Sequence, residues 1–420
     1  MRIGLCGVGN VGSALVELFR ENRFEIDRRL VRSISLEQVA CRSDSPECDL
    51  SGLSVTKDVF AITDNPALDV VVELIGGTDV AKSLVLQAMR NGKHVVTANK
   101  ALIALHGAEI FSVAREMGVK IFYEASVAGG IPIIKALREG VAGNVINRIA
   151  GIVNGTSNYI LSEMSGARGD QNFVAVLAEA QKLGYAEADP SFDVDGIDAA
   201  HKITILAMLG FGASVNFESV HVEGLSHISL DDLKLVDELG YCLKPLGIAT
   251  KRCDQLSLRV HPCMVEKNNI LSKIGGVTNA VLVDGDPVGE ILLVGPGAGG
   301  PATASAVMSD LIDLSRGADL PNQGFLELRE TSVYSIDELI CSVYIRVDVK
   351  NQNGVMASVT GILEKNDIGI EAIIQKEVNE RVARIAIVTS ETKERIINES
   401  LSELSSLSAM VVPPQKIRIF

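Results

Sequence analysis

Residues 3–12 read IGLCGVGNVG, an apolar run that passes into three glycines spaced as G-x-G-x-x-G. Gly7 allows a tight turn after a buried strand, and Gly9 lets the backbone approach a pyrophosphate. Gly12 lets the next helix pack closely on the strand, and the first N–H groups of that helix favour phosphate. The stretch predicts a βα unit that binds a dinucleotide; a glycine turn without a ligand is the alternative. The residues expected against the cofactor are Gly7, Val8, Gly9, Asn10, Val11 and Gly12.

The alternation of strands and helices continues downstream of this motif. Short apolar runs predict buried strands, and segments with helical spacing lie between some of them. The strands are expected at 37–41, 70–74, 94–97 and 120–123, and the helices at 11–20, 80–91 and 107–117. This rhythm predicts an α/β domain over residues 1–130 with a Rossmann-type, doubly wound parallel sheet.

Composition excludes several classes of protein. The 420 residues carry 39 basic and 53 acidic side chains, a formal net charge of −14, and no Trp, so a nucleic-acid partner is not expected. No apolar run is long enough to span a membrane, and no signal peptide is expected. The seven cysteines form no C-x-x-C pair, which indicates free thiols and a cytoplasmic protein.

Two further units follow the first domain. Residues 131–300 are expected to form an α+β catalytic and dimerisation domain, with helices at 173–183 and 197–209 and strands at 256–260 and 281–283. A glycine loop then opens a helix, 299–318, that should pack back on the first domain. After a polar linker near 318–324, residues 340–420 have the pattern of a small βαββα unit.

Three more positions are candidates for cofactor contact. Arg42 follows the second predicted strand and suits the 2′-phosphate of NADP, whereas the nearby Asp44 leaves NAD open. Gly77, Thr78 and Lys100 follow later strands, and loops at the carboxyl ends of parallel strands line the ligand crevice. Lys100 could hold a carboxylate or a phosphate, or it could be a solvated loop lysine.

Residues 184–202, GYAEADPSFDVDGIDAAHK, concentrate acidic side chains before a predicted helix. A calcium loop is excluded, because its twelfth position needs a bidentate Glu and here holds Lys202. Acids complementing the helix dipole, with an ordinary salt bridge, are one interpretation. The other is a site for amine and hydroxyl groups, in which Lys202 transfers the proton and Asp193 and Asp198 orient the lysine and bind substrate. Asp198 and Lys202 are four residues apart and share a helix face.

These motifs together resemble the homoserine dehydrogenase family over essentially the whole chain. The resemblance implies reversible hydride transfer between homoserine and aspartate 4-semialdehyde, on the route to threonine, methionine and isoleucine. The segments that carry it are 7–12, 73–77, 97–100, 154–161, 184–202 and 297–299. If the chain were a regulatory protein that binds a nucleotide and an amino acid without catalysis, the catalytic side chains should be absent, yet they are present. Another amino-acid semialdehyde as substrate is the remaining alternative.

The resemblance also assigns roles to individual residues. Lys202 is similar to the family's proton donor, Asp193 supports it, and Glu187 and Asp198 bind substrate. Lys100 corresponds to the lysine near the nicotinamide and the substrate. Residues 124–131 are similar to a monovalent-cation loop, expected to hold sodium. Its ligands would be the Glu124 side chain and the carbonyls of Val127, Gly129 and Ile131; Gly184 and Gly299 would lie against the cofactor.

The C-terminal unit resembles an ACT domain, a ferredoxin-like amino-acid sensor. This implies feedback by an effector, with threonine expected, and the chain is expected to form a homodimer or homotetramer. The loop at 351–354 reads NQNG where such domains often have D-x-P-G. A second departure lies outside this unit: the family reads Gly-x-x-Pro-Thr after the later glycine loop, whereas here Pro301 comes one residue earlier, before Ala302 and Thr303. A dimerisation module without a ligand is the alternative for this unit.

Overall fold

The structure is a computed structural model, and it describes residues 1–42, 48–166, 171–317 and 321–420. Asp44, which bears on the choice between NAD and NADP, lies outside the described residues, as do residues 318–320 of the expected linker.

The first domain is built on a parallel sheet with the strand order β3-β2-β1-β4-β5-β6 over the described residues. This order confirms the Rossmann-type, doubly wound sheet, whose ligand crevice lies where the order reverses, between β1 and β4. The strands are β1 Arg2–Cys6, β2 Ser35–Ala40, β3 Ser54–Thr56, β4 Val70–Glu73, β5 His94–Thr97 and β6 Ile121–Phe122. The helices are α1 Asn10–Glu21, α2 Arg23–Asp27, α3 Phe60–Asp64, α4 Asp79–Arg90 and α5 Lys100–Glu116.

The central strands of this sheet are buried on both faces. In β4, Val71 packs into the core layer that includes helices α4 and α5, whereas Val70 and Val72 pack into the layer that includes α1. Successive strand residues face opposite sides of a sheet, so a continuous apolar run serves two helical layers. The register places Cys6, Glu73 and Thr97 side by side at the carboxyl edge.

A long mixed sheet forms the framework of the middle domain. Its order over the described residues is β13-β12-β7-β10-β11, and β9 also pairs with β11. The strands are β7 Val145–Ile152, β8 Ala213–Ser214, β9 His221–Val222, β10 Tyr241–Arg252, β11 Gln255–Glu266, β12 Thr278–Asp286, β13 Gly289–Pro296 and β14 Arg329–Glu330. The helices are α6 Ile133–Lys135, α7 Gly155–Ser165, α8 Phe173–Lys182, α9 Ser191–Val194, α10 Ile197–Phe211, α11 Leu230–Glu238 and α12 Gly300–Ser315.

The sequence patterns underestimate this sheet. Strands β11 and β12 are longer than expected, and β7, β10 and β13 have no counterpart among the expected elements. Strand β10 carries Lys244 and Pro245 in its middle, which hides its apolar residues from a test of alternation. Pairing with β11 along all twelve residues of β10 overrides that weak local signal.

Helices α10 and α12 connect the layers. Helix α10 is buried on almost every side and lies between α5 and the sheet of the middle domain. Helix α12 packs against α1 through Ala304, Val307 and Leu311, so this late segment completes the core of the first domain.

The C-terminal unit has the βαββαβ order of a ferredoxin-like fold, with its own core around Val347, Val359 and Ile385. Its last strand also pairs in parallel with β11, so both units share one continuous sheet. Its strands are β15 Ile340–Cys341, β16 Val343–Lys350, β17 Ile370–Asn379, β18 Val382–Thr389, β19 Thr392–Lys393 and β20 Gln415–Ile419; its helices are α13 Val355–Lys365 and α14 Glu394–Ser405.

Candidate active site

The glycine turn after β1 has the shape that a pyrophosphate needs. Gly7 has φ +101°, and a Cβ at Gly12 would lie 2.1 Å from the Gly7 carbonyl oxygen, so α1 sits directly on the turn. A Cβ at Gly9 would meet nothing within 4 Å, which leaves its backbone open to a ligand. A Cβ at Gly300 would lie 2.4 Å from Asn10 Oδ1, so α12 begins beside the start of α1. Two helix N-termini therefore meet at the turn, and the residues present fit a dinucleotide.

Glu73 shapes the loop beside this turn. Its buried carboxylate accepts hydrogen bonds from Ile75 N at 2.9 Å, Gly76 N at 3.2 Å and Thr97 Oγ1 at 2.6 Å. Burial raises the pKa of Glu73, although these hydrogen bonds act in the opposite direction. Sequence reasoning missed this role; the signal available was an acidic residue at the end of an apolar strand.

A second loop is held by Asn99. Its Nδ2 donates to the Gly77 carbonyl at 2.6 Å, and its Oδ1 accepts from Leu102 N at 3.1 Å, which caps α5. The loops after β4 and β5 thereby line a cavity of about 410 Å³. Lys100 and Val11 lie on its first-domain side and Phe192 of α9 on the other, with Lys100 Nζ 5.3 Å from the centre of the Phe192 ring.

Asp198 joins two lysines from different domains. Its Oδ1 lies 2.8 Å from Lys100 Nζ at the start of α5, and its Oδ2 lies 2.7 Å from Lys202 Nζ, one turn along α10. Lys202 also donates to the carbonyl of Val153 at 2.7 Å. Only 4% of the Asp198 side chain is exposed, so this charged group depends on its partners for solvation.

The charges around Asp198 determine its ionisation. Burial alone would raise the pKa of this carboxyl, but Lys202 and Lys100 together hold it well below its usual range. Burial raises the pKa of Asp193, against the effect of a hydrogen bond from Asn154, and the Asp198 charge raises it further. The site therefore holds an ionised carboxylate between two ammonium groups, with a second acid of raised pKa beside it.

Asn154 connects the two acids. Its Nδ2 donates to Asp193 Oδ1 at 2.7 Å and to Asp198 Oδ2 at 2.8 Å, and its Oδ1 caps α7 by accepting from Ser157 N at 2.8 Å. The Ser157 hydroxyl also donates to the Asp193 carbonyl at 2.9 Å. Sequence reasoning assigned Asn154 no role; an Asn directly before a helix is an N-cap signal that could have pointed to it.

Other candidate residues lie outside this cluster. Glu187 is exposed on the segment after α8, and within the described residues no hydrogen bond or ion pair joins its side chain to the Asp198 cluster. Arg42 is exposed after β2, and Thr78 is the half-buried residue before α4. Gly184, φ +76°, and Gly299, φ +106°, are exposed, and Gly299 directly precedes α12.

The expected cation loop is buried. Glu124 accepts from Ile134 N and Lys135 N, both at 2.8 Å, and burial raises its pKa to about 7. Ile133 N donates to the Ile131 carbonyl at 2.8 Å, whereas no backbone N–H among the described residues donates to the carbonyls of Val127 or Gly129. Over the same residues no group of three or more His, Cys, Asp or Glu is arranged to hold a metal ion. The atoms that could coordinate a cation in this loop are mainly carbonyl oxygens, which suit a hard cation.

The fold and this cleft define an oxidoreductase that binds a nicotinamide dinucleotide. Family models agree: residues 7–124 match the NAD-binding domain of homoserine dehydrogenase, residues 132–312 match homoserine dehydrogenase, and residues 343–409 match the ACT domain. The chain belongs to the homoserine dehydrogenase family.

Individual relatives match along most or all of the chain. A homoserine dehydrogenase of Pseudomonas aeruginosa is 45% identical over 429 residues, covering 100% of this chain and 98% of the relative. The crystal structure of a homoserine dehydrogenase from Thiobacillus denitrificans superposes with a TM-score of 0.94 at 43% identity, covering 100% and 98%. A hyperthermophilic archaeal homoserine dehydrogenase in complex with NADPH has a TM-score of 0.63 at 28% identity, covering 78% and 99%.

No helix in the described part of the chain has the length and apolarity to cross a membrane.

Proposed function

We propose that this protein interconverts L-homoserine and L-aspartate 4-semialdehyde by hydride transfer with a nicotinamide cofactor. The observation that carries the proposal is the buried Asp198 between Lys100 and Lys202, beside the cleft that the glycine turn opens. An ion-paired lysine next to a dinucleotide cleft suits a reaction that moves a hydride and a proton together.

Lys202 is the proposed proton donor and acceptor. In the reductive direction its ammonium hydrogen-bonds the aldehyde oxygen and gives up a proton as the alkoxide forms; in the oxidative direction its amine takes the hydroxyl proton. Asp198 and the Val153 carbonyl each bind Lys202 Nζ at 2.7 Å, so they fix its position. A bound nicotinamide supplies the hydride chemistry, accepting the hydride from homoserine or returning it.

The remaining charged groups are proposed to bind and orient the substrate. Asp198 stays ionised because of its two lysines, so it can accept hydrogen bonds from the substrate amino group. Glu187 is the second proposed acid for that group, and Lys100 is the proposed contact for the substrate carboxylate. Asp193, linked to Asp198 through Asn154, is proposed to support Lys202 electrostatically.

NADP is the proposed physiological cofactor, with NAD as the alternative. Arg42 follows β2 and is exposed, which suits contact with a 2′-phosphate. The archaeal relative in complex with NADPH is in line with this choice. The proposed contacts to the rest of the cofactor are the glycine turn at 7–12 together with Gly77, Thr78, Lys100, Gly184 and Gly299.

Sodium is the proposed occupant of the cation loop. The Glu124 carboxylate and the carbonyls of Val127, Gly129 and Ile131 are its proposed ligands, and a bound cation would offset the cost of burying the Glu124 charge. Replacing sodium chloride by choline chloride at constant ionic strength should lower the turnover number; unchanged turnover at every salt composition would remove this assignment.

Regulation and assembly are proposed from the outer elements. The ACT domain is proposed to bind threonine as a feedback effector; Gly354, φ +86°, opens its first helix in the loop where an effector would bind.

A homodimer or homotetramer is proposed, because the edge strand β13 leaves apolar residues such as Val294 exposed. Sedimentation equilibrium measures the mass of the oligomer, and a monomer at micromolar concentration would contradict the proposed assembly.

The test of the function is homoserine-dependent reduction of NADP and of NAD, measured in parallel with and without threonine. We expect turnover with homoserine, a higher kcat/KM for NADP, and inhibition by threonine. The same assay with a longer amino alcohol tests the alternative substrate. Turnover of that alcohol without turnover of homoserine would overturn the proposed substrate.

A further inference from the structure

A buried ion-pair cluster joins the C-terminal unit, residues 340–420, to the middle domain. Arg418 on β20 donates from Nη1 to Glu223 Oε2 and from Nη2 to Glu223 Oε1, both at 2.8 Å. Only 3% of the Arg418 side chain is exposed, so the pair is shielded from solvent screening on the arginine side. A bidentate pair of this kind fixes both the distance and the orientation of the two side chains.

The same guanidinium also binds a carboxylate of its own unit. Nη2 donates to Glu394 Oε1 at 2.7 Å and Nε donates to Glu394 Oε2 at 3.1 Å. One nitrogen therefore lies between oxygens of Glu223 and Glu394, and it separates two negative charges. Without the guanidinium these two carboxylates would repel each other. Glu394 would keep its ion pair with Lys416, and Glu223 would keep its contact with His221 Nε2 at 2.8 Å, so the more exposed Glu223 side chain is the one expected to shift.

Glu223 is the first residue of a loop that holds the end of α9. Leu225 N donates to the Val194 carbonyl at 3.0 Å, and a Cβ at Gly224 would lie only 2.8 Å from that same oxygen. The backbone at 223–225 is therefore in direct contact with Val194, the residue after Asp193. Glu223 N also donates to the Val260 carbonyl at 2.8 Å, so a shift of the Glu223 side chain would reach α9 only through the close contact of residues 224 and 225 with Val194.

Residues from both ends of this route also line one small cavity. A void of about 10 Å³ is lined by groups that include Asp193, Asn154, Glu223 and His261. Asp193 and Glu223, the residue that Arg418 binds, therefore line the same small cavity.

We propose that Arg418 and Glu223 are positioning residues for the reaction. The C-terminal unit holds Glu223 through Arg418, and the 223–225 loop in turn holds Asp193 where Asn154 can join it to Asp198. The inference rests on the proposed function of the Asp198 cluster. It makes the C-terminal unit part of the active-site support, whether or not that unit binds an effector.

The test measures kcat and the KM values for homoserine and NADP during homoserine oxidation by the 420-residue chain and four variants. Arg418→Met removes the charge and nearly keeps the length, Arg418→Lys keeps the charge without the fork, and Glu223→Gln keeps the shape of the partner. The matched control is Arg346→Met. Arg346 Nε binds the buried Asp232 at 2.6 Å. This ion pair also joins the C-terminal unit to the middle domain, but its partner lies on α11 and not on the 223–225 loop.

We expect kcat to fall about tenfold in Arg418→Met and less in Glu223→Gln, with the KM for NADP within about twofold of wild type. Arg418→Lys should recover part of the kcat. Arg346→Met should lower the melting temperature while kcat stays within about twofold of wild type. If Arg418→Met does not fold, the Arg418→Lys and Glu223→Gln variants decide.

Two results would overturn the proposal. One is a wild-type kcat in the folded Arg418 and Glu223 variants. The other is an equal fall in kcat for Arg346→Met, because any weakening of the domain contact would then suffice. A wild-type protein that does not oxidise homoserine would instead overturn the proposed function, so the two failures are distinguishable.

Discussion

Substitution of Asn154 tests the site because the oxygen and the NH₂ group of its side chain make different contacts. The side-chain oxygen caps α7, and the side-chain NH₂ group binds Asp193 and Asp198. Asn154→Ser keeps a capping oxygen and removes the NH₂ group, whereas Asn154→Ala removes both. Comparing the two variants separates the stability of the helix from the chemistry of the site.

The expected losses of stability follow from these contacts. Hydrogen bonds to charged groups contribute about 1.5–3 kcal/mol each, but water can replace the bond to the half-buried Asp193. We therefore expect Asn154→Ser to lower the free energy of unfolding by about 2 kcal/mol. Losing the cap as well should bring Asn154→Ala to about 3 kcal/mol. Asn172, which caps α8 away from the site by accepting from Ala175 N at 3.0 Å, is the matched control, and Asn172→Ala should cost about 1 kcal/mol.

In free-energy terms, the expected effect of Asn154→Ser on activity is similar in size to its effect on stability. Without the shared donor, Asp193 and Asp198 repel each other, and kcat in Asn154→Ser should fall about 10- to 100-fold. Asn154 lowers the pKa of Asp193, so its removal should also move any limb of the pH–kcat profile that Asp193 controls to higher pH.

Urea unfolding and steady-state homoserine oxidation measure these quantities. A wild-type kcat in Asn154→Ser would refute the link between the two acids. So would an equal loss of kcat in Asn172→Ala, since capping alone would then explain the effect.

Three further predictions concern single charged groups. Lys202→Ala should lower kcat by orders of magnitude while fluorescence titration shows that NADPH still binds; a kcat near wild type would remove the proton-transfer role. Arg42→Ala should raise the KM for NADP and leave that for NAD nearly unchanged, and equal changes in both would remove the reason for preferring NADP. The folded-state pKa of Asp198 is depressed, so its stabilising effect is complete above its unfolded pKa of about 4 and is lost as the pH falls through the lower folded pKa. The difference in unfolding free energy between wild type and Asp198→Asn should therefore narrow on acidification below about pH 4, and a constant difference in urea titrations would contradict the charge pairing.

Much of the first domain could be predicted because its signals are local. The glycine turn and the buried apolar strands each occupy a few consecutive residues, and β1, β4 and β5 lie where the patterns indicate. The middle domain was harder, because β7 and β10 mix polar residues and a proline into strands that are stabilised by pairing. In such strands the neighbouring backbone supplies the energy that local propensity lacks.

The candidate site divides in the same way. Asp198 and Lys202 could be paired from their spacing, since residues four apart share a helix face, and they are hydrogen-bonded at 2.7 Å. Lys100 was a candidate, but nothing local indicated that it would bind Asp198, which lies on a different domain. Asn154 was assigned no function, because an N-cap signal says nothing about which groups the other end of the side chain meets.

The sequence by itself determined the dinucleotide-binding turn, the helix face that carries Asp198 and Lys202, and the family. These depend on the spacing of residues within one turn or one helix, where backbone geometry sets which side chains are neighbours. Only the tertiary structure decided that Lys100 closes on Asp198, that Asn154 joins two acids, and that β20 extends the sheet of the middle domain to bring Arg418 to Glu223. Such contacts join residues far apart in the chain, and they arise from how whole layers pack, which no local pattern encodes.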